Sequence, residues 1–563
     1  MSNTTPPSSG GPEYLESSAG SPVEREGTSA DRRKRIIALG GLAGVLALGG
    51  GAVWAATSFL GTGAQPAEAL PAGTLGYVSV DLDPSGDQKV EAIQTLRKFP
   101  AFKDEINLDT DDDLRERLFE EITDSGECEG LDYKADVEPW LGSRAALAAV
   151  DTGDDAPSPV GVVQVTDAGG AEDGLAKLVE TCGGSDETST GGWVVAGDWV
   201  VIAETEAIAQ KVVDATEKGA LADDDAFAKW TGEAGADGIM SFYVAAEAAD
   251  YLGQVLASPG MGMLAGMGAA PLTALPPGAE GMDENGEVTE PMPTEVPEEL
   301  QEMLDNFDGA AATVRFEDGA LEVEYAASNY QPELSKHFTN EAGVELIGGL
   351  PDDTVAAFAL GFEPGWVDGM IDYFASVMPE SDGMSVDELI AEAETATGLE
   401  LPEDAETLMG EGIAVSLGGG IDVDAFTNGG PGELPLGVTI DGDADDIQAV
   451  LDKMKDAAGP EVAPYLEATE VDGHAVIALN DDYRGKLDSG GSLGDTDVYA
   501  DVVEGDEAQS VMFVNFNADD DWLTRVVEDD PETSENLDPL AAFGVSQWID
   551  GDTMHGLFKL TTD

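Results

Sequence analysis

The feature that most constrains this chain is a run of 25 uncharged, mostly apolar residues from Ile36 to Leu60. At about 1.5 Å of rise per residue, a helix of this length reaches roughly 37 Å and can cross a hydrocarbon core of about 30 Å. The run directly follows a basic cluster, Arg32, Arg33, Lys34 and Arg35. Because basic residues beside a span stay in the cytoplasm, we predict a disordered cytoplasmic tail over 1–35, one transmembrane helix over 36–60 and an extracytoplasmic remainder.

A cleaved secretory signal is the alternative interpretation of the same run, and Ala67-Glu68-Ala69 fits a signal-peptidase site. However, the apolar core of a signal peptide is only about 7–15 residues long. The longer run, together with basic residues that begin at position 32, favours an anchor that is retained in the plasma membrane.

Charge excludes one class of partner. The chain has 25 basic and 114 acidic residues, for a net charge of −89. The tail before Ile36 holds five of each sign, so the whole excess belongs to the extracytoplasmic part. Such a field repels a phosphate backbone, which argues against nucleic-acid binding. Cations and basic partners remain compatible, and an acidic exterior is typical of a surface that stays hydrated in salt.

Apolar periodicity predicts an α+β fold with a largely antiparallel sheet. Residues 75–82 alternate as a strand, and residues 88–102 have the spacing of one amphipathic helix. Two hairpin turns are indicated, at Gly197-Asp198 and at Asp318-Gly319, each between β-rich runs.

The block then repeats. A shift of 280 residues superposes Leu70-Pro71 and Thr74 on Leu350-Pro351 and Thr354; a shift of 276 pairs Gly161 with Gly437; and a shift of 272 pairs Met240 with Met512. We therefore predict a tandem duplication, with a linker over 61–70 and repeat units over 71–330 and 350–563.

Only the first unit carries an uncharged insertion, 251–279, which contains Met261, Met263 and Met267 and continues as an acidic stretch to 299. One interpretation is a flexible surface loop. The other is a contact loop, because flexible Met-rich surfaces adapt to varied partners.

The two cysteines, Cys128 and Cys182, are predicted to form a disulfide in an oxidising compartment. A metal site would need more sulfur or nearby histidine. The three histidines, His337, His474 and His555, are scattered singly, so the sequence predicts no metal and no cofactor.

Two motifs approach known chemistry without meeting its requirements. Gly490-x-Ser492-x-Gly494 matches a nucleophile elbow, but its surroundings read as a loop without a preceding buried strand. Acidic runs that begin at Asp81 and at Asp441 approach calcium-loop spacing, but each lacks a required residue. We expect no catalytic residues.

Three stretches, 66–102, 128–153 and 191–215, resemble the actinobacterial family catalogued as domain of unknown function 3352. The similarity lies in the order of the residues and not merely in their composition. The resemblance implies a membrane-anchored envelope protein without an assigned activity. The expected function is therefore a non-catalytic binding or scaffold module whose partner is an envelope protein. Two alternatives stay open, a carrier of a lipid or other apolar ligand and an unrecognised hydrolase.

Overall fold

A computed structural model describes residues 64–563 apart from 82–86, 106–112, 125–129, 155, 183–190, 236–237, 250, 252–303, 330, 378–384, 422–429, 461, 505–507, 519–521 and 524–529. The predicted span over 36–60 and its basic cluster lie outside these residues. Among the described helices, none has the length and apolar character needed to cross a bilayer.

The described chain is α+β and is built on one antiparallel sheet of 16 strands. Its strands are β1 (Thr74–Asp81), β2 (Leu141–Val150), β3 (Ser158–Val165), β4 (Gly192–Ala196), β5 (Trp199–Ala203), β6 (Met240–Ala245), β7 (Gly309–Glu317), β8 (Ala320–Ser328), β9 (Thr354–Gly361), β10 (Gly412–Gly418), β11 (Leu436–Ile440), β12 (Ala468–Val471), β13 (His474–Ala478), β14 (Ser510–Asn515), β15 (Leu540–Asp550) and β16 (Thr553–Thr562). Their order across the sheet is β12-β13-β11-β10-β9-β14-β15-β16-β8-β7-β6-β1-β2-β3-β5-β4.

Fifteen described helices cover the sheet. They are α1 (Asp87–Leu96), α2 (Pro100–Glu105), α3 (Leu114–Asp124), α4 (Ala168–Cys182), α5 (Glu206–Thr216), α6 (Asp225–Glu233), α7 (Pro332–Ser335), α8 (Ala342–Gly348), α9 (Trp366–Val377), α10 (Val386–Thr397), α11 (Glu403–Met409), α12 (Ala444–Ala458), α13 (Asp481–Asp488), α14 (Asp497–Ala500) and α15 (Pro531–Leu537).

The strand order of β9–β16 repeats that of β1–β8, and the two halves meet where β8 pairs with β16. The pairs Tyr325–Gly556 and Val323–Phe558 flank the pair Glu324–Leu557 on this ladder. A local two-fold axis through Glu324–Leu557 relates the halves. Each half thereby presents its outermost hairpin, β4–β5 or β12–β13, at an opposite end of the sheet.

The ladders correct two of the pairings that sequence shifts suggested. Gly161 pairs with Leu147, whose counterpart Val415 pairs with Val438, so Gly161 matches Val438 and not Gly437. Val78 and Phe358 are counterparts at the shift of 280. Phe242 pairs with Val78 and Met512 pairs with Phe358, so Met512 matches Phe242 and not Met240. Strand registers slip by one or two residues between the halves, which local sequence identity does not reveal.

The sheet has two faces, which we call the first and second faces. On the first face, Trp230 of α6 and Val212 of α5 lie in one apolar cluster, and Ile347 of α8 and Tyr483 of α13 lie in another. On the second face, Ala92 of α1, Leu175 of α4 and Ile447 of α12 each anchor a separate cluster. Apolar residues of both parities along the strands are therefore buried, as expected of a sheet covered on two sides.

Local signals predicted the hairpins and missed one helix break. Gly197 (φ 62°) and Asp318 (φ 50°) take the positive φ values that tight hairpin turns require. The single helix expected over 88–102 is instead α1 and α2, separated before Pro100. Proline cannot continue a helix hydrogen-bond ladder, but it is well suited to begin a new helix.

Part of the expected linker over 61–70 lies in the core, because residues 66–69 form a buried 3-10 turn. Ala67 is 1% exposed and Leu70 is fully buried. Just before them, the carbonyl of Ala64 accepts a hydrogen bond from Arg144 Nη1 at 2.7 Å. Arg144 is itself buried beside Asp81, with Nε and Oδ2 3.4 Å apart. Residues 64–70 therefore belong to the folded body.

Candidate functional site

The second face carries a continuous apolar surface across five neighbouring strands. It has one row of Val415, Phe358, Met512, Val545 and Phe558 and a second row of Leu417, Ala356, Val514, Phe543 and Leu560. We call these ten residues the open apolar face. Strands lie about 4.8 Å apart and same-face residues about 7 Å apart, so the surface is roughly 20 Å by 10 Å.

The open apolar face is only partly covered. Met512 is 43% exposed and the other nine side chains are half-buried. None of the ten described residues belongs to an apolar cluster beneath a described helix. By contrast, the flanking residues Val323 and Val438 pack against the α1 and α12 clusters. Because contiguous exposed apolar surface is uncommon, these ten residues form the candidate site.

The matching surface of the first half has smaller side chains at three positions. Through the local two-fold axis, Ala310, Ala312 and Ala327 occupy the places of Phe543, Val545 and Leu560. The two halves therefore differ in bulk on β15 and at one position of β16, whereas Met512 has the equally bulky Phe242 as its counterpart. This asymmetry lies in described residues and is separate from the 251–299 insertion.

The first face has a charged cluster at the junction of the halves. Glu322 is 4% exposed and lies between Arg315 on β7 and Lys559 on β16. Its carboxylate accepts a hydrogen bond from Arg315 Nε at 2.8 Å, and its other oxygen is 3.1 Å from Lys559 Nζ. Arg315 Nη1 also donates to Glu324 at 2.6 Å, and Lys559 Nζ lies 3.5 Å from Glu504.

The pKa shifts of its two cations indicate that this cluster has a structural role. Burial alone would lower the pKa of Arg315, but hydrogen bonding to Glu324 and the charge of Glu322 raise it. Burial likewise opposes the charge of Lys559, whose pKa is nevertheless raised by Glu322 and Glu504. Both cations are therefore held charged by partners within the chain, and the cluster fixes the register of β7, β8 and β16.

A polar contact crosses the same junction on the second face. Gln547 Nε2 of β15 donates to Tyr325 Oη of β8 at 2.9 Å, and the Tyr325 ring lies 5.9 Å from that of Phe558. Burial raises the pKa of Tyr325 to about 12, although the Gln547 hydrogen bond opposes the shift. Tyr325 therefore remains a neutral hydroxyl at the edge of the open apolar face.

Several predicted site residues lie outside the described residues. They are Arg32, Arg33, Lys34, Arg35, Cys128, Met261, Met263 and Met267. Cys182 is the last residue of α4, and the described part of the chain contains no disulfide. The Cys128–Cys182 bond therefore stays a prediction.

The weak motifs have structural roles. Ser492 follows helix α13 and not a buried strand, and its Oγ contacts Asp352 Oδ1 at 3.0 Å. Asp81 pairs with Arg144, and Asp443 caps α12 by accepting from the amides of Asp445 and Asp446.

Each of the three histidines makes a different contact. His474 Nδ1 lies 3.3 Å from Asp441, and His555 stacks on Trp548 with ring centroids 5.2 Å apart. His337 lies against Gly369 of α9. No group of three metal-ligating side chains occurs among the residues that the structure describes.

Sequence reasoning missed the open apolar face, although a signal was present. Residues 355–360 and 511–514 are apolar at both strand parities, which indicates a strand with two apolar faces. The sequence does not say which face a helix covers.

Comparison with known proteins gives a family and no activity. No curated protein and no solved structure matches the chain. Residues 38–419 match the family described as a protein of unknown function, DUF3352, and because the match covers more than half of the chain, the protein belongs to that family.

Proposed function

We propose that the protein is a single-pass, membrane-anchored, extracytoplasmic module that binds an envelope protein and performs no chemistry. The observation that carries the proposal is the open apolar face, centred on Met512 at 43% exposure. A body of net charge −89 has strong reason to stay hydrated, so a contiguous area of exposed apolar side chains is costly unless a partner covers it.

Placement outside the plasma membrane rests on the basic cluster and the apolar run. The buried turn over 66–69 supports a retained anchor, because cleavage after Ala69 would remove residues that the core contains. An oxidising location also fits the predicted Cys128–Cys182 disulfide.

A tandem duplication accounts for the repeated strand order. Matching details support it. Thr74 Oγ1 and Thr354 Oγ1 each donate to the carbonyl of the proline three residues earlier, both at 2.7 Å. The halves differ at three positions of the open apolar face, where Ala310, Ala312 and Ala327 stand in place of Phe543, Val545 and Leu560.

The shape favours a protein partner over a lipid. The open apolar face lies on the surface of the sheet between two helix-covered regions, whereas carriers enclose an apolar ligand in a cavity. A helix or loop with a row of apolar anchors matches two parallel rows of side chains. The apolar-ligand carrier is the second candidate, because the same surface is apolar throughout.

The test compares M512C with V462C in the full-length protein. Val462 is 44% exposed and lies outside the open apolar face, so it matches Met512 in accessibility. Maleimide labelling is measured in membranes of the native host and again on the purified chain. We expect M512C to be protected in membranes and reactive after purification, with V462C reactive in both.

Equal labelling of M512C in membranes and after purification would refute the proposal. Protection that persists in the purified chain until bound lipid is extracted would support the carrier instead. Protection that is lost in urea washes without lipid extraction supports a protein partner, because urea weakens apolar contacts.

A further inference from the structure

The two outer edges of the sheet are β4 and β12. Strand β4 pairs with β5 across the two-residue turn Gly197-Asp198, with Ala196 opposite Trp199. In such a hairpin the pair that flanks the turn exchanges both hydrogen bonds, and hydrogen-bonded pairs then alternate with non-hydrogen-bonded ones. Trp193 and Val195 therefore direct their N–H and C=O groups away from β5, toward the open side.

The equivalent edge of the second half is protected. Counting from its turn, Ala468 and Glu470 of β12 match Trp193 and Val195 of β4. The amide of Ala468 donates to Gln448 Oε1 at 2.8 Å, which satisfies one outward group. Glu470 places an exposed charge at the other. A charged side chain and a capped amide are the usual devices that keep an edge strand from pairing.

Strand β4 has neither device. It contains no charged residue, and within the described part of the chain the amides of Trp193 and Val195 donate to no group beyond β5. Trp193 and Val195 pack against the apolar cluster of the second face, and Val194 packs against that of the first. The edge is thus held in place before anything binds it.

The surroundings of β4 are acidic. Helices α4 and α5 lie beside it, on opposite faces of the sheet. Exposed carboxylates on these helices and the adjacent turns are Asp167, Glu172, Asp173, Glu180, Asp198, Glu204, Glu206, Asp214 and Glu217. The two lysines of these helices are already paired, Lys177 with Asp136 at 2.6 Å and Lys211 with Asp154 at 3.3 Å.

We propose that the β4 edge accepts an extended segment of a basic partner protein as a seventeenth strand of the sheet. The backbone of the segment would bond to the outward groups of Trp193 and Val195, and its basic side chains would meet the carboxylates of α4 and α5. A second copy of this chain is a poor occupant, because two bodies of net charge −89 repel each other. This surface is separate from the open apolar face.

The test uses V195P in the full-length chain, purified in detergent. Proline at 195 removes one outward amide and leaves the β4–β5 ladder intact, because that amide does not bond to β5. The matched control is E470P, which makes the same change on β12. The probe is a fluorescent acetyl-(Lys-Val)4-amide peptide, compared with acetyl-(Glu-Val)4-amide.

We expect the lysine peptide to bind and to slow hydrogen exchange at Trp193 and Val195. V195P should weaken its binding about ten-fold, the effect of one lost hydrogen bond, while E470P leaves binding unchanged. Equal loss in both variants, or binding without protection at β4, would overturn the proposal. Self-association that V195P abolishes would identify a second copy as the occupant and would also overturn it.

Discussion

The junction between the halves depends on Glu322, and E322Q tests how strongly. The side chain of Glu322 is 6% exposed and contacts the cations of both neighbouring strands, Arg315 and Lys559. Removing one partner from a buried ion pair costs about 3–5 kcal/mol. Because Glu324 and Glu504 still contact the two cations in the variant, we expect the lower end of that range.

A loss of about 3 kcal/mol corresponds to roughly 100-fold more frequent opening. The assay is native-state hydrogen exchange, read on peptides from β8 and β16. Strand β2 lies four strands from β8 in the sheet order and serves as the internal reference.

The matched control is E317Q. Glu317 also contacts Arg315, at 3.2 Å, but its side chain is 59% exposed. Exposed pairs contribute about 0–1 kcal/mol, so exchange in E317Q should change by less than about five-fold. The reasoning fails if E322Q exchanges no faster than E317Q at the junction, or if β2 accelerates as much as β8.

Two further predictions concern the pH dependence of folding and the packing of a helix on the sheet. Burial favours a raised pKa for Asp113, but hydrogen bonds from Arg115 and Tyr133 lower this pKa overall. The ionised Asp113 carboxylate therefore stabilises the fold at pH values above its unfolded pKa of about 3.9, and this contribution is lost as the pH falls through the folded pKa. D113N should therefore lose about 1–3 kcal/mol in urea unfolding at pH 7, and the gap from wild type should shrink below about pH 4; a gap that stays constant would contradict this assignment. In helix α8, a Cβ on Gly343 would lie 2.4 Å from the backbone of Leu360, whereas one on Gly348 meets nothing within 4 Å. Thermal melting should show G343A destabilised by about 1–3 kcal/mol and G348A neutral or slightly stabilised, and equal effects would disprove the close contact.

Features that depend on residues close together in the sequence could be predicted from it. Turn chemistry at Gly197-Asp198 and Asp318-Gly319 predicted two hairpins, and alternation over residues 75–82 located β1. The pairing of β8 with β16 joins residues more than 200 positions apart, and no local pattern specifies it.

The open apolar face could not be predicted for a related reason. Phe358 and Met512 alternate like core residues, but the clusters under the described helices α1 and α12 do not include them. Likewise, Val195 and Glu470 occupy equivalent places, but their roles as edge residues depend on the strand order.

The strand order also determines how the molecule would respond to a pulling force. Strand β1 begins near the first described residues, and β16 ends next to the last residue, Asp563. Four successive antiparallel pairings separate them, so β1 and β16 run in the same direction. Tension between the two ends of the body would therefore act along the strands and perpendicular to their hydrogen bonds. All the bonds of a ladder would then share the load at once, and the body would resist extension by shear instead of unzipping one bond at a time.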